Sequence, residues 1–234
     1  MPRLTVVTYN TYQECKGRDS ALEELLQEKE TLTCLQELKP ARALRIKRAL
    51  GSRAFVSLAK YGLLYLALIL PEGAGFLQRR TAALNGYGGF FPQPWSLRRS
   101  YELYRAGRPA WRDGLEPRVA QVVRVLWQAR DFRLVNTHLP FESGLRNRCL
   151  DLLPGFLDAE SVLLTGDLNA TTQNLFLADF LLETGLRVAG TEEPTHDTGR
   201  KIDFVLYRGN FREVGYSLTK SLSDHRLVRV DLEV

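Results

Sequence analysis

The sequence predicts an α/β fold built as a layered sandwich, and three observations carry that prediction. Short apolar runs outnumber helical stretches, the two kinds of segment alternate along the chain, and no Pro/Gly/Ser-rich linker or internal repeat divides it.

Strands are predicted at 3–9, 32–37, 54–58, 62–70, 119–127, 132–139, 161–166, 202–207 and 226–234. Each is rich in Val, Leu or Ile, and most are bounded by turn-forming or charged residues. Helical spacing of apolar residues appears at 20–29, opened by Ser20 and Glu23 as a capping box, and at 41–50 behind Pro40. It recurs at 144–157 and 173–184. The stretch 85–117 reads as a loop and holds four of the ten prolines.

The 234 residues are 44% hydrophobic and 25% charged, which excludes a disordered or fibrous chain. With no dividing tract, one domain over 1–234 is expected. The longest apolar run, Leu63 to Leu70, is too short to cross a bilayer, and the N-terminus leads straight into a strand with no secretory pattern. Cys15, Cys34 and Cys149 are too scattered for a disulfide framework or a zinc site, so a reduced, cytoplasmic protein is expected, with no membrane contact. The formal net charge is +5, and 25 of the 32 basic residues are arginine. Arginine forks match phosphate, though a GC-rich genome or a hot habitat also raises the arginine count.

Six short segments set polar residues against apolar strands. They are Thr8-Tyr9-Asn10, Cys34-Leu35-Gln36-Glu37, Asn136-Thr137-His138-Leu139, Gly166-Asp167-Leu168-Asn169, Lys201-Ile202-Asp203-Phe204 and Ser223-Asp224-His225. Asp203 falls one residue inside an apolar strand, where a carboxylate needs a partner. Taken singly, each has a plain alternative: Asn10 as a turn former, Glu37 as a solvated strand end, Asp167 and Asn169 as an Asx-turn opening a helix.

In this order the six segments resemble the endonuclease/exonuclease/phosphatase superfamily, over residues 4 to 234. The resemblance implies a four-layer sandwich of two mixed β-sheets flanked by helices. It implies Glu37 as metal ligand, with Asn10 beside the metal and Asp224 near it, and magnesium as cofactor with manganese as the alternative. Asp167 then orients or deprotonates the attacking water, Asn169 positions water and phosphate, and His225 binds the scissile phosphate in a protonated form favoured by Asp203. His138 matches a histidine that contacts phosphate in deoxyribonuclease- and sphingomyelinase-like members. Its usual glutamate partner is missing, since 59–71 holds no acidic residue. His196 reads as a surface-loop residue. Arg200 and Lys201 are placed to meet phosphate, and of Arg146 and Arg148, two apart on one helix, at most one can do so.

The loop holding Trp95, Arg98, Arg99, Tyr101, Tyr104, Arg105, Arg108, Trp111 and Arg112 interleaves arginines with aromatic rings, a composition suited to a nucleic-acid strand or to a lid. The leading expectation is a metal-dependent nuclease that acts on nucleic acid as a monomer. A phosphatase or phospholipase-type hydrolase of a small or lipid phosphoester is the alternative, and a non-catalytic binding protein on the same fold is the third reading.

Overall fold

The structure is a computed structural model that describes residues 2–12, 20–60, 64–84 and 118–234, with 58–60 described by their backbone alone. Cys15 and the arginine–aromatic loop within 85–117 lie outside the described residues.

The chain begins β1 (Arg3–Asn10), α1 (Ser20–Gln27), β2 (Thr31–Leu38), α2 (Pro40–Leu50), β3 (Ala54–Lys60), β4 (Leu64–Ile69) and β5 (Gly75–Ala83). It continues with β6 (Val119–Trp127), β7 (Arg130–His138), α3 (Ser143–Leu152), β8 (Val162–Asp167), α4 (Leu175–Thr184), β9 (Arg187–Val188), β10 (Asp203–Arg208), β11 (Arg212–Thr219) and β12 (Leu227–Glu233). Two six-stranded sheets result, in the orders β11-β12-β1-β2-β4-β3 and β5-β6-β7-β8-β10-β9.

Each sheet has one parallel pair at its centre, β1 with β2 and β7 with β8; its other pairs are antiparallel. A parallel pair needs a crossover, and α1 and α3 supply one each. β2 and β8 are buried along their whole length, as central strands covered on both faces must be.

Three apolar clusters give four layers. Leu4, Leu32 and Leu68 of the first sheet pack on Val123, Leu134 and Val205 of the second. Leu22, Leu25, Ala43 and Ile46 of α1 and α2 cover the outer face of the first sheet. Cys149, Leu150, Leu177 and Phe180 of α3 and α4 cover the outer face of the second. The predicted four-layer sandwich of two mixed sheets is what the chain forms. No described helix is long and apolar enough to cross a membrane.

The predicted elements differ in places from those observed. β5, β9 and β11 were not expected. All three are sheet edges, where one side of the strand meets solvent and no apolar run is required. Ser20 is already the first helical residue of α1, and Glu23 pairs with Arg42 of α2. The helix expected over 144–157 ends at Leu152 and tightens into a 3-10 turn, Leu153–Phe156, where Pro154 cannot continue the α-helical bonding.

Candidate active site

The parallel pairs decide where polar side chains meet. The C-terminal ends of β1 and β2 carry Asn10 and Glu37, and those of β7 and β8 carry His138 and Asp167. Ligand sites favour the carboxyl ends of parallel strands, and here both sheets offer theirs on the same side. Register completes the row: His138 lies opposite Asp167 in the β7–β8 pair, and Asp203 lies opposite it in the β8–β10 pair. The seam between sheets is closed by Asn10, whose Nδ2 donates to Asp167 Oδ2 at 3.0 Å.

Local backbone strain marks the same place. Tyr12, Glu37 and Asn169 have φ of 44°, 57° and 50°, left-handed values that side-chain-bearing residues rarely adopt and that cost roughly 1–3 kcal/mol each. The register of β2 against β4 shifts between Leu35 and Leu38, so Glu37 sits in a bulge that turns its side chain toward β7. Thr11 holds that bulge, its hydroxyl donating to the carbonyls of Gln36 at 3.1 Å and Glu37 at 3.2 Å. Gly166 lets β7 and β8 approach: a Cβ there would lie 1.9 Å from the Thr137 carbonyl oxygen.

Asp167 is the centre of the cluster and is 2% exposed. Its Oδ2 is 3.5 Å from His138 Nε2 and 3.8 Å from His225 Nε2, and its Oδ1 accepts from the Asn169 amide at 2.9 Å. Burial first, and the charge of Asp203 second, push its carboxyl up to about 7.

His225 is held from behind. Its Nδ1 lies 2.9 Å from Asp203 Oδ2, and the Thr195 hydroxyl donates to the same oxygen at 2.8 Å. Burial pulls the imidazole down, but the charge and hydrogen bond of Asp203, then the charges of Asp167 and Asp224, outweigh it and raise it to about 9. At neutral pH His225 is therefore an imidazolium whose Nδ1–H donates to Asp203 and whose Nε2–H points into the cluster.

The structure brings together most of the residues expected at the site, with corrections. Asn10 bonds Asp167, Glu37 Oε1 faces His138 Nδ1 at 3.7 Å, and Asp224 sits 3.5 Å from His196 Nε2 and 3.8 Å from His225 Nε2.

β4 carries no acidic residue, and Glu37, Asp167 and Asn169 surround His138, the last with Nδ2 at 3.3 Å. Asn169 also donates to the Leu139 carbonyl at 2.9 Å. His196 is a half-buried loop residue, and its ring meets that of His225 edge-on, with centroids 4.6 Å apart at 76°. Sequence reasoning set it aside because its partner lies 29 residues on, joined through an isolated bridge.

Lys201 is not brought to the cluster. It is 5% exposed, and its Nζ donates to the carbonyls of Ala189 at 3.1 Å and Thr191 at 2.6 Å, between the rings of Phe204 and Tyr216. Arg146 and Arg200 meet instead at Phe141, three residues beyond His138. Arg146 donates to the Phe141 carbonyl at 2.9 Å, and the Arg200 guanidinium lies 5.8 Å from the ring centroid. Arg148 is exposed while Arg146 is buried, as their offset on one helix requires.

A family model described as the Endonuclease/Exonuclease/phosphatase family matches residues 7–225. The chain belongs to that family. Among solved structures, an endonuclease/exonuclease/phosphatase from Bacteroides vulgatus is similar with a TM-score of 0.72 at 14% identity, covering 100% of both chains. D. rerio TDP2 complexed with single strand DNA product has a TM-score of 0.72 at 14% identity, covering 99% of both. Bacteroides thetaiotaomicron mannosyl-6-phosphatase has a TM-score of 0.70 at 15% identity, covering 99% of this chain and 100% of that one. No curated protein matches the chain. As an endonuclease/exonuclease/phosphatase, it is a phosphoester hydrolase, and the Asp167 cluster is the polar convergence that the family's carboxylate, asparagine and histidine segments form here.

Proposed function

We propose that the chain hydrolyses phosphodiester bonds in nucleic acid, with a divalent cation, by in-line attack of a water activated at Asp167. The observation carrying this reading is the Asp167 carboxylate itself, buried between two imidazoles and shifted to about 7, near the pH at which it must take a proton. Asp167 accepts the proton of the attacking water, and Asn169 orients that water through its amide. His225 donates from Nε2 to a phosphoryl oxygen while Asp203 holds its Nδ1–H, and His138 faces the phosphate from the opposite side. Arg146 and Arg200 bind a neighbouring phosphate of the strand.

The donor set fits a hard cation. Glu37, Asp167, Asp203 and Asp224 concentrate negative charge, and carboxylate oxygens are the ligands such an ion takes. Glu37 would hold the ion, with Asn10 and Asp224 as further oxygen donors; bound there, magnesium or manganese supplies charge neutralisation for the phosphoryl oxygens. The likeness to a DNA-product complex favours nucleic acid, while that to a sugar phosphatase keeps a small phosphoester as the rival. Cys34 and Cys149 are free and buried, compatible with a reducing cytoplasm.

Labelled single-stranded DNA and mannose 6-phosphate, each tested with magnesium, manganese or chelator, separate the readings. The expected result is metal-dependent cleavage of the DNA and a loss of at least about a hundredfold in Asp167→Asn. Phosphate release with intact DNA supports the phosphatase; DNA binding without hydrolysis of either supports a binding protein.

A further inference from the structure

The core between the two sheets is apolar along most of its length, but at the site end it changes character. Gln36 of β2, Asn136 of β7 and Gln121 of β6 are all 0% exposed. Their amides form a head-to-tail chain that crosses the gap between the sheets. Gln36 Nε2 donates to Asn136 Oδ1 at 2.8 Å, passing from the first sheet to the second. Asn136 Nδ2 donates to Gln121 Oε1 at 2.9 Å. Gln121 Nε2 then returns to the first sheet, donating to the Phe55 carbonyl at 2.8 Å and Ser57 Oγ at 3.1 Å. The near end is anchored by Gln36 Nε2 on Thr8 Oγ1 at 3.1 Å, and the far end by Ser57 Oγ against Thr81 Oγ1 at 2.8 Å. Six strands are tied by one chain.

Leucines would fill this volume without the desolvation of three buried amides. Apolar packing, however, is non-directional and lets two sheets slide against each other, whereas bonds near 2.8 Å fix both distance and angle. The location gives that property a use. Gln36 immediately precedes Glu37, and Asn136 is two residues from His138, so the link between the sheets joins the strand ends that carry those two side chains. Glu37 and His138 come from different sheets, so their 3.7 Å separation depends on how the two sheets sit against each other.

We propose that Gln36, Asn136 and Gln121 are positioning residues: their amide chain sets the registry between the two sheets, and with it the approach of Glu37 to His138. The inference rests on the phosphoester-hydrolase reading for its rate measurement but not for its structural one. The decisive variant replaces all three amides together (Gln36→Leu, Asn136→Leu, Gln121→Leu), because removing them as a set leaves no orphaned amide and keeps the core closed. Asn136→Leu alone serves as the second variant.

The triple variant is expected to keep the wild-type circular dichroism spectrum and thermal midpoint within a few degrees. Its kcat should fall about tenfold to a hundredfold with KM little changed, a loss confined to geometry at the reacting atoms. A crystal structure should show the end of β2 displaced relative to the end of β7 by more than about 0.5 Å. Unchanged kcat, or an unmoved Glu37–His138 pair, overturns the proposal. So does unfolding of both variants, since the chain would then hold the fold rather than the site. If the wild-type protein hydrolyses no phosphoester, the functional reading fails, and the crystallographic displacement still decides this one.

Discussion

At the scale of single residues, His225 shows how a fold makes one imidazole unlike the other two. Its cationic form depends on Asp203, which is buried opposite Asp167 and has no exposure of its own. Replacing Asp203 with Asn removes both the charge and the acceptor, so the proton of His225 should be released well below the wild-type value of about 9, as an NMR titration of the ring protons would record. An unshifted titration would assign the effect to another group. The same linkage has a sign for stability. The folded protein binds this proton more tightly than an unfolded chain, whose histidine titrates near 6.5, so the contribution is complete below 6.5 and is lost as pH rises through about 9. Asp167, raised from 3.8 to about 7, acts in the same direction at lower pH. Residue identities of this kind were legible in the sequence because each sits at the end of an apolar run. The left-handed backbone of Glu37 and the pairing of His196 with His225 were not, since both arise from contacts made only after the strands assemble.

At the scale of elements, what the sequence reveals follows burial. β2 and β8 are enclosed on both faces, and Leu32, Leu35, Leu163 and Leu164 mark them in the sequence. β11 alternates instead, with Val214, Tyr216 and Leu218 two apart. That period-two signal was present in the sequence, but Gly215 and the bulge beside it weakened it. The entry to α3 shows how a short connection is stabilised between two site elements. Glu142 accepts from the amides of Gly144 at 2.9 Å and Leu145 at 2.7 Å. Glu142→Ala should cost about 1 kcal/mol, a drop of about 2–4 °C in thermal midpoint, with little effect on turnover if Arg146 keeps its bond to Phe141. A calorimetric scan beside a rate measurement checks both halves.

At the scale of the whole molecule, the two sheets share one apolar interior, to which β1, β2, β4, β6, β7, β8, β10 and β12 all contribute. Neither sheet can lose its partner without exposing that interior. Far-ultraviolet dichroism and tryptophan fluorescence should therefore report one coincident unfolding transition, with Trp127 in the shared cluster; two separated transitions would divide the chain into independent units. The architecture was readable because alternating strands and helices with polar strand ends leave few arrangements open. The substrate was not, because a phosphate group is what nucleic acid and small phosphoesters have in common.

The order of strands also has a consequence for the chain during its synthesis. β1 is made first, yet one of its two neighbours, β12, is made last, and their pairing joins Arg3 to Glu233. Until residues 227–233 have emerged, β1 presents an open row of backbone donors and acceptors, and His225 is not yet in reach of Asp203. β1 therefore keeps an exposed adhesive border until β12 arrives, and the cluster around Asp167 and His225 cannot close before then. Slow refolding and dependence on dilution or on a holding chaperone follow from that geometry alone.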